Sequence, residues 1–360
     1  MSVFWNTRTK NLSPYTPGEQ PKDRKFIKLN TNENPYPPSP KVIEAIQKAA
    51  NENLRLYPDP VCTEFREAVA ARYGVKPEQV FAGNGSDEIL AFAFGAFFES
   101  GENAEKIFFP DITYSFYPVY AGLWNIPYRA IPLSENFSIN IGDYKIPSGG
   151  VIFPNPNAPT GTEILLDDIL SLAEYLEKKE KVFIVDEAYA AFGAQTAIPH
   201  INKYANLLTV HTLSKSVSLA GLRVGFAIGN EKLIEGLCRI RDSFNSYTLD
   251  RLALAGAAAA VCDGLYYNEI NSRVTATRER IAQALRGLGF IVQPSSANFL
   301  FVEHPIIKGV EFFTALREKG ILVRHFNKNR IADFLRISIG TDDDMDALLV
   351  ACREIVRNKQ

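Results

Sequence analysis

One segment of the chain places a lysine, two hydroxyl groups and an arginine directly after an apolar strand. The segment is TVHTLSKSVSLAGLRVGF, residues 209–226, and its lysine is Lys215. Burial beside a strand end disfavours the charged amine and lowers its pKa, which would leave Lys215 able to attack a carbonyl group. Thr212, Ser214 and Arg223 are hydrogen-bond donors that suit a phosphate. The segment favours a site for a phosphorylated aldehyde, and a surface lysine in a polar turn is the plain alternative.

A carboxylate follows a second predicted strand, upstream of the lysine. In KVFIVDEAYAAF, residues 181–192, the apolar run is typical of a buried parallel strand, and Asp186 stands at its carboxyl end. Open α/β sheets bind their ligands at this edge. Asp186 could keep a ring nitrogen protonated, and Tyr189 could donate to an oxygen of the same ring. Alternatively, Asp186 and Glu187 only cap the segment that follows.

A glycine-containing turn enters a predicted helix in VFAGNGSDEILAFAFGAFFE, residues 80–99. Gly85 opens the turn, Ser86 is a good N-cap residue, and Asp87 suits a first helical turn. Free backbone N–H groups at such a helix start can bind a phosphate. The turn is not a dinucleotide fingerprint, because the third glycine of that motif would fall at Glu88.

These segments lie within an alternation of predicted strands and helices. Strands are expected at 80–82, 106–109, 151–153, 182–185, 207–210 and 225–228, which predicts an α/β fold with a largely parallel sheet covered by helices. The last of these strands follows the lysine turn closely and could pair antiparallel. We expect a large domain over residues 54–262 and a smaller α+β domain over 263–360. Residues 1–53 would form an arm and a first helix that pack with the small domain.

Composition excludes several classes of protein. The formal charge is −2, so no global charge attracts nucleic acid or anionic membranes. The 4 cysteines and 4 histidines show no metal-ligand spacing, and we expect free thiols and no metal. The N-terminal residues have no apolar signal-peptide core, and the longest apolar runs are too short to span a bilayer. A cytoplasmic location is the expectation.

Together, the motifs resemble those of fold-type I pyridoxal-phosphate enzymes, and among them the histidinol-phosphate aminotransferase family. The similar stretches extend almost from end to end of the chain and are NLSPYTPGE (11–19), KLNTNENPYPPSP (28–40), RLYPDP (55–60), GNGSDEIL (83–90), TYSFY (113–117), NPNAPTG (155–161), VDEAY (185–189), TLSKSVSLAGLRVGF (212–226), SANFLFV (296–302), GILVRHF (320–326) and LRISIGTDDDMDAL (335–348). The resemblance implies a large domain with a mostly parallel seven-stranded sheet, pyridoxal 5′-phosphate as cofactor, and a homodimer.

The resemblance also implies a role for each matching residue around the cofactor ring. Lys215 would form the internal aldimine and later shuttle a proton, Asp186 would pair with the ring nitrogen, and Tyr189 would bind the phenolic oxygen. Tyr114 would stack on the ring face, although an aromatic cluster is usually core. The cofactor phosphate would be held by Gly85, Ser86, Asp87, Thr212, Ser214 and Arg223, and by Tyr57 from the partner subunit.

The substrate would be held by a separate set of residues. Arg336 would bind the α-carboxylate of the amino donor, and Arg324 with Tyr15 from the partner's arm would bind the substrate phosphate. Relatives have an asparagine where this chain has Ala158, so we expect the neighbouring Asn157 to reach the ring oxygen instead. The motifs imply ping-pong transamination between L-histidinol phosphate and 2-oxoglutarate. An aromatic amino acid aminotransferase, a threonine-phosphate decarboxylase and a non-catalytic binding protein remain alternatives.

Overall fold

The computed structural model describes residues 2–16, 18–21 and 24–359. In this part of the chain the strands are β1 (Ile27–Lys28), β2 (Val80–Gly83), β3 (Ile107–Pro110), β4 (Tyr128–Ile131), β5 (Val151–Pro154), β6 (Phe183–Asp186), β7 (Leu207–Thr212), β8 (Gly225–Gly229), β9 (Ile291–Val292), β10 (Phe299–Glu303), β11 (Ile321–Leu322), β12 (Arg324–His325) and β13 (Phe334–Ser338). The α-helices are α1 (Thr7–Asn11), α2 (Pro40–Ala49), α3 (Thr63–Tyr73), α4 (Gly85–Phe97), α5 (Tyr117–Trp124), α6 (Leu166–Glu177), α7 (Glu231–Phe244), α8 (Arg251–Cys262), α9 (Gly264–Gly287), α10 (Gly309–Glu318) and α11 (Asp342–Arg357).

The largest sheet has seven strands in the order β2-β8-β7-β6-β5-β3-β4. Strands β3 to β7 pair in parallel, and β8 runs antiparallel to both of its neighbours, β2 and β7. The predicted parallel sheet and the antiparallel pairing of the strand after the lysine turn are therefore confirmed. Strand β4 was missed, because its first three residues are exposed and it has no continuous apolar run.

Helices cover both faces of this sheet because successive strand residues point to opposite sides. Phe81 and Ile152 face a core with α4, α5 and α7, whereas Val80, Val151 and Phe153 face the helices of the other side. The carboxyl ends of β2, β5, β6 and β7 consequently lie along one edge of the sheet, where the residues after each strand can meet.

The C-terminal part of the chain builds a separate core around a four-stranded antiparallel sheet in the order β12-β13-β10-β9. The arm contributes β1, which pairs in parallel with β11. Helix α2, which corresponds to the helix expected after the arm, instead packs against α8 of the large domain, since Ile46 lies beside Gly256 and Val42 belongs to the core of α3 and α8. The expected packing of the whole segment 1–53 with the small domain therefore needs correction for this helix.

The domain boundaries at 53 and 262 stay a prediction. Among the described residues, no helix is long and apolar enough to cross a membrane.

Candidate active site

A cavity of about 270 Å³ lies at the carboxyl edge of the large sheet. Its wall contains most of the residues singled out from the sequence, which come from seven separate segments of the chain. These are Tyr15, Ser86, Asp87, Tyr114, Asp186, Tyr189, Thr212, Ser214, Lys215, Arg223, Arg324 and Arg336. The strand ends bring together residues that are more than 300 positions apart.

Lys215 follows β7 and points its amine into this cavity. Its Nζ donates to the backbone oxygen of Thr31 at 2.9 Å, and its backbone oxygen accepts from Asn34 Nδ2 at 3.2 Å. Burial, with a smaller contribution from the nearby Arg336 cation, lowers the pKa of Lys215 to about 8. The neutral amine, which is the form that acts as a nucleophile or base, is therefore more populated near neutral pH than in an ordinary lysine.

Asp186 is the last residue of β6, the strand beside β7, and is 4% exposed. Its carboxylate accepts from Tyr117 Oη at 3.1 Å and from the Ala188 backbone N–H at 3.2 Å. Burial raises the pKa of Asp186 to about 6, against the lowering effect of these two neutral donors. Within the described part of the chain the carboxylate has no cationic partner, so a protonated ring nitrogen would stabilise its ionised form.

Tyr117 was missed as a functional residue. Tyr117 is fully buried in the aromatic cluster that also contains Tyr114. Its hydroxyl nevertheless contacts the carboxylate of Asp186. The sequence contains no signal that separates this tyrosine from its aromatic neighbours.

The start of α4 forms an anion-binding corner with the turn after β7. Asn84 at the N-cap makes no side-chain cap hydrogen bond, and Gly85 has a φ of +73°. A Cβ on Gly85 would lie 2.6 Å from Arg223 Nη2, so only glycine admits the guanidinium here. Arg223 contacts Asp87 at 3.2 Å and Ser214 Oγ at 3.3 Å. Backbone N–H groups, hydroxyls and a cation thus converge as a phosphate requires.

Arg336 and Arg324 bring two positive charges to the opposite side of the cavity. Arg336 donates to the Asn30 backbone oxygen at 3.1 Å, and its Nε is buried and has no partner among the residues that the structure describes. Burial and the charge of Arg324 lower the pKa of Arg336. An unpartnered guanidinium nitrogen beside a cavity favours an anionic ligand.

A side cavity of about 230 Å³ adjoins the first one and shares Tyr15, Tyr114, Ala158 and both arginines with it. Lys328 also lines this side cavity. The two cavities together offer room for a ligand longer than the cofactor alone, with cations at the far end.

Tyr189 and Tyr114 lie on the cavity wall with their hydroxyls engaged. Tyr114 donates to Asp87 Oδ1 at 2.6 Å, and Tyr189 Oη accepts from Asn32 Nδ2 at 3.0 Å. Sequence reasoning missed Asn32, since the arm motif that contains it was recognised without a role for this residue.

Asn157 does not reach the cavity, which corrects the expectation that it replaces the amide missing at Ala158. Its Nδ2 donates to the Ile112 backbone oxygen at 3.0 Å and to Thr160 Oγ1 at 2.9 Å. Both amide protons are therefore used to hold its own loop. Ala158 lines the cavity in its place.

Tyr57 and Tyr15 were both expected to act from the partner subunit. Tyr57 is 78% exposed, stacks on Tyr247 with 4.6 Å between ring centroids, and does not line the cavity of its own chain. Tyr15 stacks on Phe116 at 4.3 Å and lines the cavity of its own chain. In this single chain its own arm brings Tyr15 to the site. The expectation that the partner's arm supplies this tyrosine stays a prediction.

A larger cavity of about 680 Å³ lies around Glu187 and His211. Glu187 accepts from Thr196 Oγ1 and the Ala197 N–H, and burial raises its pKa to about 7. Burial lowers the pKa of His211 to about 3, so this histidine is neutral. Among the described residues, no lysine lines this cavity, and its arginine, Arg72, donates to the Val261 backbone oxygen at 3.1 Å. The cavity therefore lacks the reactive amine that the chemistry above requires.

The cavity of about 270 Å³ that contains Lys215 fits a planar ring that carries a phosphate, an aldehyde and a protonated nitrogen. An amine of lowered pKa, a buried carboxylate without a cation and an anion-binding helix start lie on its wall. The unpartnered Nε of Arg336 adds a position for a second anion. Among the described residues, no group of three or more metal-binding side chains is present.

Comparison with known proteins agrees with this chemistry. Residues 24–351 match the family model described as aminotransferase class I and II. A histidinol-phosphate aminotransferase of Sinorhizobium meliloti, solved in complex with pyridoxal-5′-phosphate, superposes with a TM-score of 0.88 at 24% identity, covering 99% of each chain, and so shows the fold. The chain is a member of the class I and II aminotransferases.

The sequence relatives define the family more narrowly. A histidinol-phosphate aminotransferase of Clostridium acetobutylicum is 53% identical over 356 residues, which are 99% of this chain and 100% of that protein. Another, of Clostridium beijerinckii, is 51% identical over 360 residues, 100% of this chain and 99% of that protein. The chain belongs to the histidinol-phosphate aminotransferase family.

Proposed function

We propose that the protein is a pyridoxal-5′-phosphate-dependent aminotransferase that moves an amino group between L-histidinol phosphate and 2-oxoglutarate. The observation that carries the proposal is the meeting of Lys215, Asp186 and two arginines in one cavity beside an anion-binding helix start. The full-length relatives named for this activity support the substrate. The protein would accordingly act in histidine biosynthesis.

When bound, pyridoxal 5′-phosphate supplies an aldehyde that accepts the amine and a ring that delocalises the negative charge left by loss of a proton. Lys215 would bind the aldehyde covalently between turnovers, and as a free amine it would carry the proton that leaves the substrate carbon. Its pKa of about 8 suits both roles, because the neutral amine is available near neutral pH. Asp186 would keep the ring nitrogen protonated, and Tyr189 would donate to the ring oxygen.

Two unlike substrates must share this site, because glutamate carries an α-carboxylate and histidinol phosphate carries a phosphate instead. Arg336, whose Nε has no partner, would bind the carboxylate of the amino donor. Arg324 with Tyr15 would bind the phosphate of histidinol phosphate, and Lys328 adds charge in the side cavity. Loss of the donor's keto acid before the acceptor binds would give ping-pong kinetics.

We further propose a homodimer in which Tyr57 reaches the cofactor phosphate of the partner subunit. The exposure of Tyr57 on its own chain and its stacking on Tyr247 support an interface at this surface. We also propose that residues 54–262 form the large domain and that residues 263–360 form the small domain. A cytoplasmic location stays a prediction, which cell fractionation would test.

A scan of single half-reactions tests the substrate. Protein loaded with pyridoxal 5′-phosphate is mixed with histidinol phosphate, glutamate, phenylalanine or threonine phosphate, and the absorbance of the cofactor is followed. We expect rapid conversion to the aminated cofactor with histidinol phosphate and glutamate, and slow conversion with phenylalanine. Faster conversion with phenylalanine, or release of carbon dioxide from threonine phosphate, would assign the protein to one of the alternative activities.

A further inference from the structure

The contact between Asn32 and Tyr189 joins the arm to the wall of the active-site cavity. Asn32 donates to Tyr189 Oη at 3.0 Å across 157 positions of sequence. Asn32 is 1% exposed, and its φ of 56° lies in the left-handed region. Asparagine adopts this backbone conformation more readily than other non-glycine residues, and at position 32 hydrogen bonds to its backbone and side chain hold it there. The surroundings of Asn32 therefore determine how its amide is presented to Tyr189.

Two residues from the C-terminal part of the chain fix the orientation of this amide. The Asn32 backbone N–H donates to Ser338 Oγ at 2.8 Å, and the Ser338 hydroxyl donates to Asn32 Oδ1 at 2.9 Å. Asn298 Nδ2 donates to the Asn32 backbone oxygen at 3.0 Å. In this network the Ser338 hydroxyl gives its proton to Oδ1, and the nitrogen of the Asn32 amide faces Tyr189.

The bond from Asn32 leaves the Tyr189 proton free to serve the cavity. A tyrosine hydroxyl has one proton and acceptor lone pairs, and the Asn32 amide occupies the acceptor side. The loop across the cavity offers no second donor, because Ala158 has no amide and both protons of the Asn157 amide are engaged. Tyr189 is therefore the main side-chain donor available for the ring oxygen. The hydrogen bond to that oxygen consequently depends on the direction in which the Tyr189 hydroxyl points its proton.

We propose that Asn32 is a positioning residue that aims the Tyr189 hydroxyl at the ring oxygen of the cofactor, with Ser338 and Asn298 holding it in place. This inference rests on the proposed function. Through these contacts, the hydrogen-bonding direction of Tyr189 in the large domain depends on the packing of the arm and the C-terminal region. A donor to the ionised ring oxygen stabilises it, and loss of that donor favours its protonated form.

The test is a double-mutant cycle between Asn32→Gly and Tyr189→Phe. Glycine accepts the left-handed backbone at position 32 and removes the amide without adding charge. The readout is the pKa of the pH-dependent change in the visible absorbance of the bound cofactor, together with the dissociation constant of pyridoxal 5′-phosphate. We expect Asn32→Gly to raise that pKa by about one unit in the wild-type background, and to leave it unchanged when Tyr189→Phe is already present.

Ser338→Ala serves as a second variant, since it removes the proton that orients the Asn32 amide together with the acceptor of the Asn32 backbone N–H. It should shift the same pKa in the same direction by a smaller amount. Equal shifts in both Tyr189 backgrounds, or no shift in the wild-type background, would overturn the inference. A wild-type protein that binds no cofactor would instead overturn the proposed function. In that case urea unfolding without cofactor decides the inference, measured on the wild type, the two single variants Asn32→Gly and Tyr189→Phe, and the double variant. If the changes in unfolding midpoint of the single variants add up to that of the double variant, Asn32 and Tyr189 are not coupled.

Discussion

Arg324 and Arg336 face each other directly across the antiparallel pair of β12 and β13. Like charges in this arrangement destabilise a sheet by roughly 0.2–1 kcal/mol unless an anion lies between them. The arrangement lies on the wall that both cavities share, and the charge of Arg324 contributes to the lowered pKa of Arg336. A carboxylate or a phosphate bound between these arginines would relieve their repulsion, and this relief favours the binding of such an anion.

The arginine pair leads to a prediction about anion binding. In protein loaded with pyridoxal 5′-phosphate, Arg324→Ala should weaken the binding of histidinol phosphate by about 10- to 100-fold, because a charged hydrogen bond contributes about 1.5–3 kcal/mol. The same variant should lose most of the rise in melting temperature that inorganic phosphate produces. The exposed Arg353→Ala is the matched control. An unchanged KM for histidinol phosphate would remove Arg324 from the site.

Lys215→Ala should reduce transamination by at least about 10³-fold, since the variant lacks both the covalent anchor and the proton carrier. Borohydride should no longer fix the cofactor to the protein, which mass spectrometry of the reduced sample would detect. Lys232→Ala, a substitution at a side chain 87% exposed, is the control and should retain both properties. Normal turnover by the Lys215 variant would refute the assignment of the lysine.

The raised pKa of Asp186 gives a prediction about pH and stability in the cofactor-free protein. A carboxyl whose pKa rises from 3.8 to about 6 on folding favours the folded state below pH 4, and this contribution is lost as the pH rises toward 6. Relative to Asp186→Asn, the wild-type free energy of unfolding should fall by about 3 kcal/mol across this window. Urea unfolding at a series of pH values measures the difference.

The exposed Asp143→Asn provides the control for the Asp186 measurement. The pH dependence of its difference from the wild type is the reference with which the Asp186 difference is compared. A wild-type stability that rises relative to Asp186→Asn between pH 4 and 6 would mean that Asp186 has a cationic partner in the cofactor-free protein.

Asn157→Ala should act on stability and leave the cofactor spectrum unchanged. The variant leaves the Ile112 oxygen without its donor, at a cost of about 1–3 kcal/mol in the free energy of unfolding. The pKa read from the visible absorbance should stay at its wild-type value. Asn268→Ala, on the exposed surface of α9, controls for loss of an amide. A shifted spectrum with wild-type stability would show that Asn157 reaches the ring after all.

The proposed dimer predicts complementation between two defective subunits. In a hybrid of one Lys215→Ala subunit and one Tyr57→Ala subunit, the site with an intact lysine would receive Tyr57 from its partner. Hybrids should therefore recover one complete site with wild-type affinity for pyridoxal 5′-phosphate. Affinity as weak as in the pure Tyr57→Ala protein would mean that Tyr57 acts within its own chain or not at all.

The sequence by itself determined the large sheet apart from its edge strand β4, and it determined the edge at which the site lies. Short apolar runs before Asp186 and before the Lys215 turn are sufficient to predict buried parallel strands, and their carboxyl ends meet at one edge for geometric reasons. The antiparallel strand after the lysine was likewise predictable, because the connection is too short for a parallel crossover.

The tertiary structure decided how loops and the arm approach that edge. The direction of the Asn157 amide depends on the Ile112 carbonyl 45 positions away, and the route of the arm places Tyr15 in its own cavity. Asn32 meets Tyr189 only because two further residues, 266 and 306 positions distant, fix its left-handed backbone. Local periodicity predicts regular elements, whereas contacts between irregular segments depend on the packing of the whole chain, which no short stretch of sequence encodes.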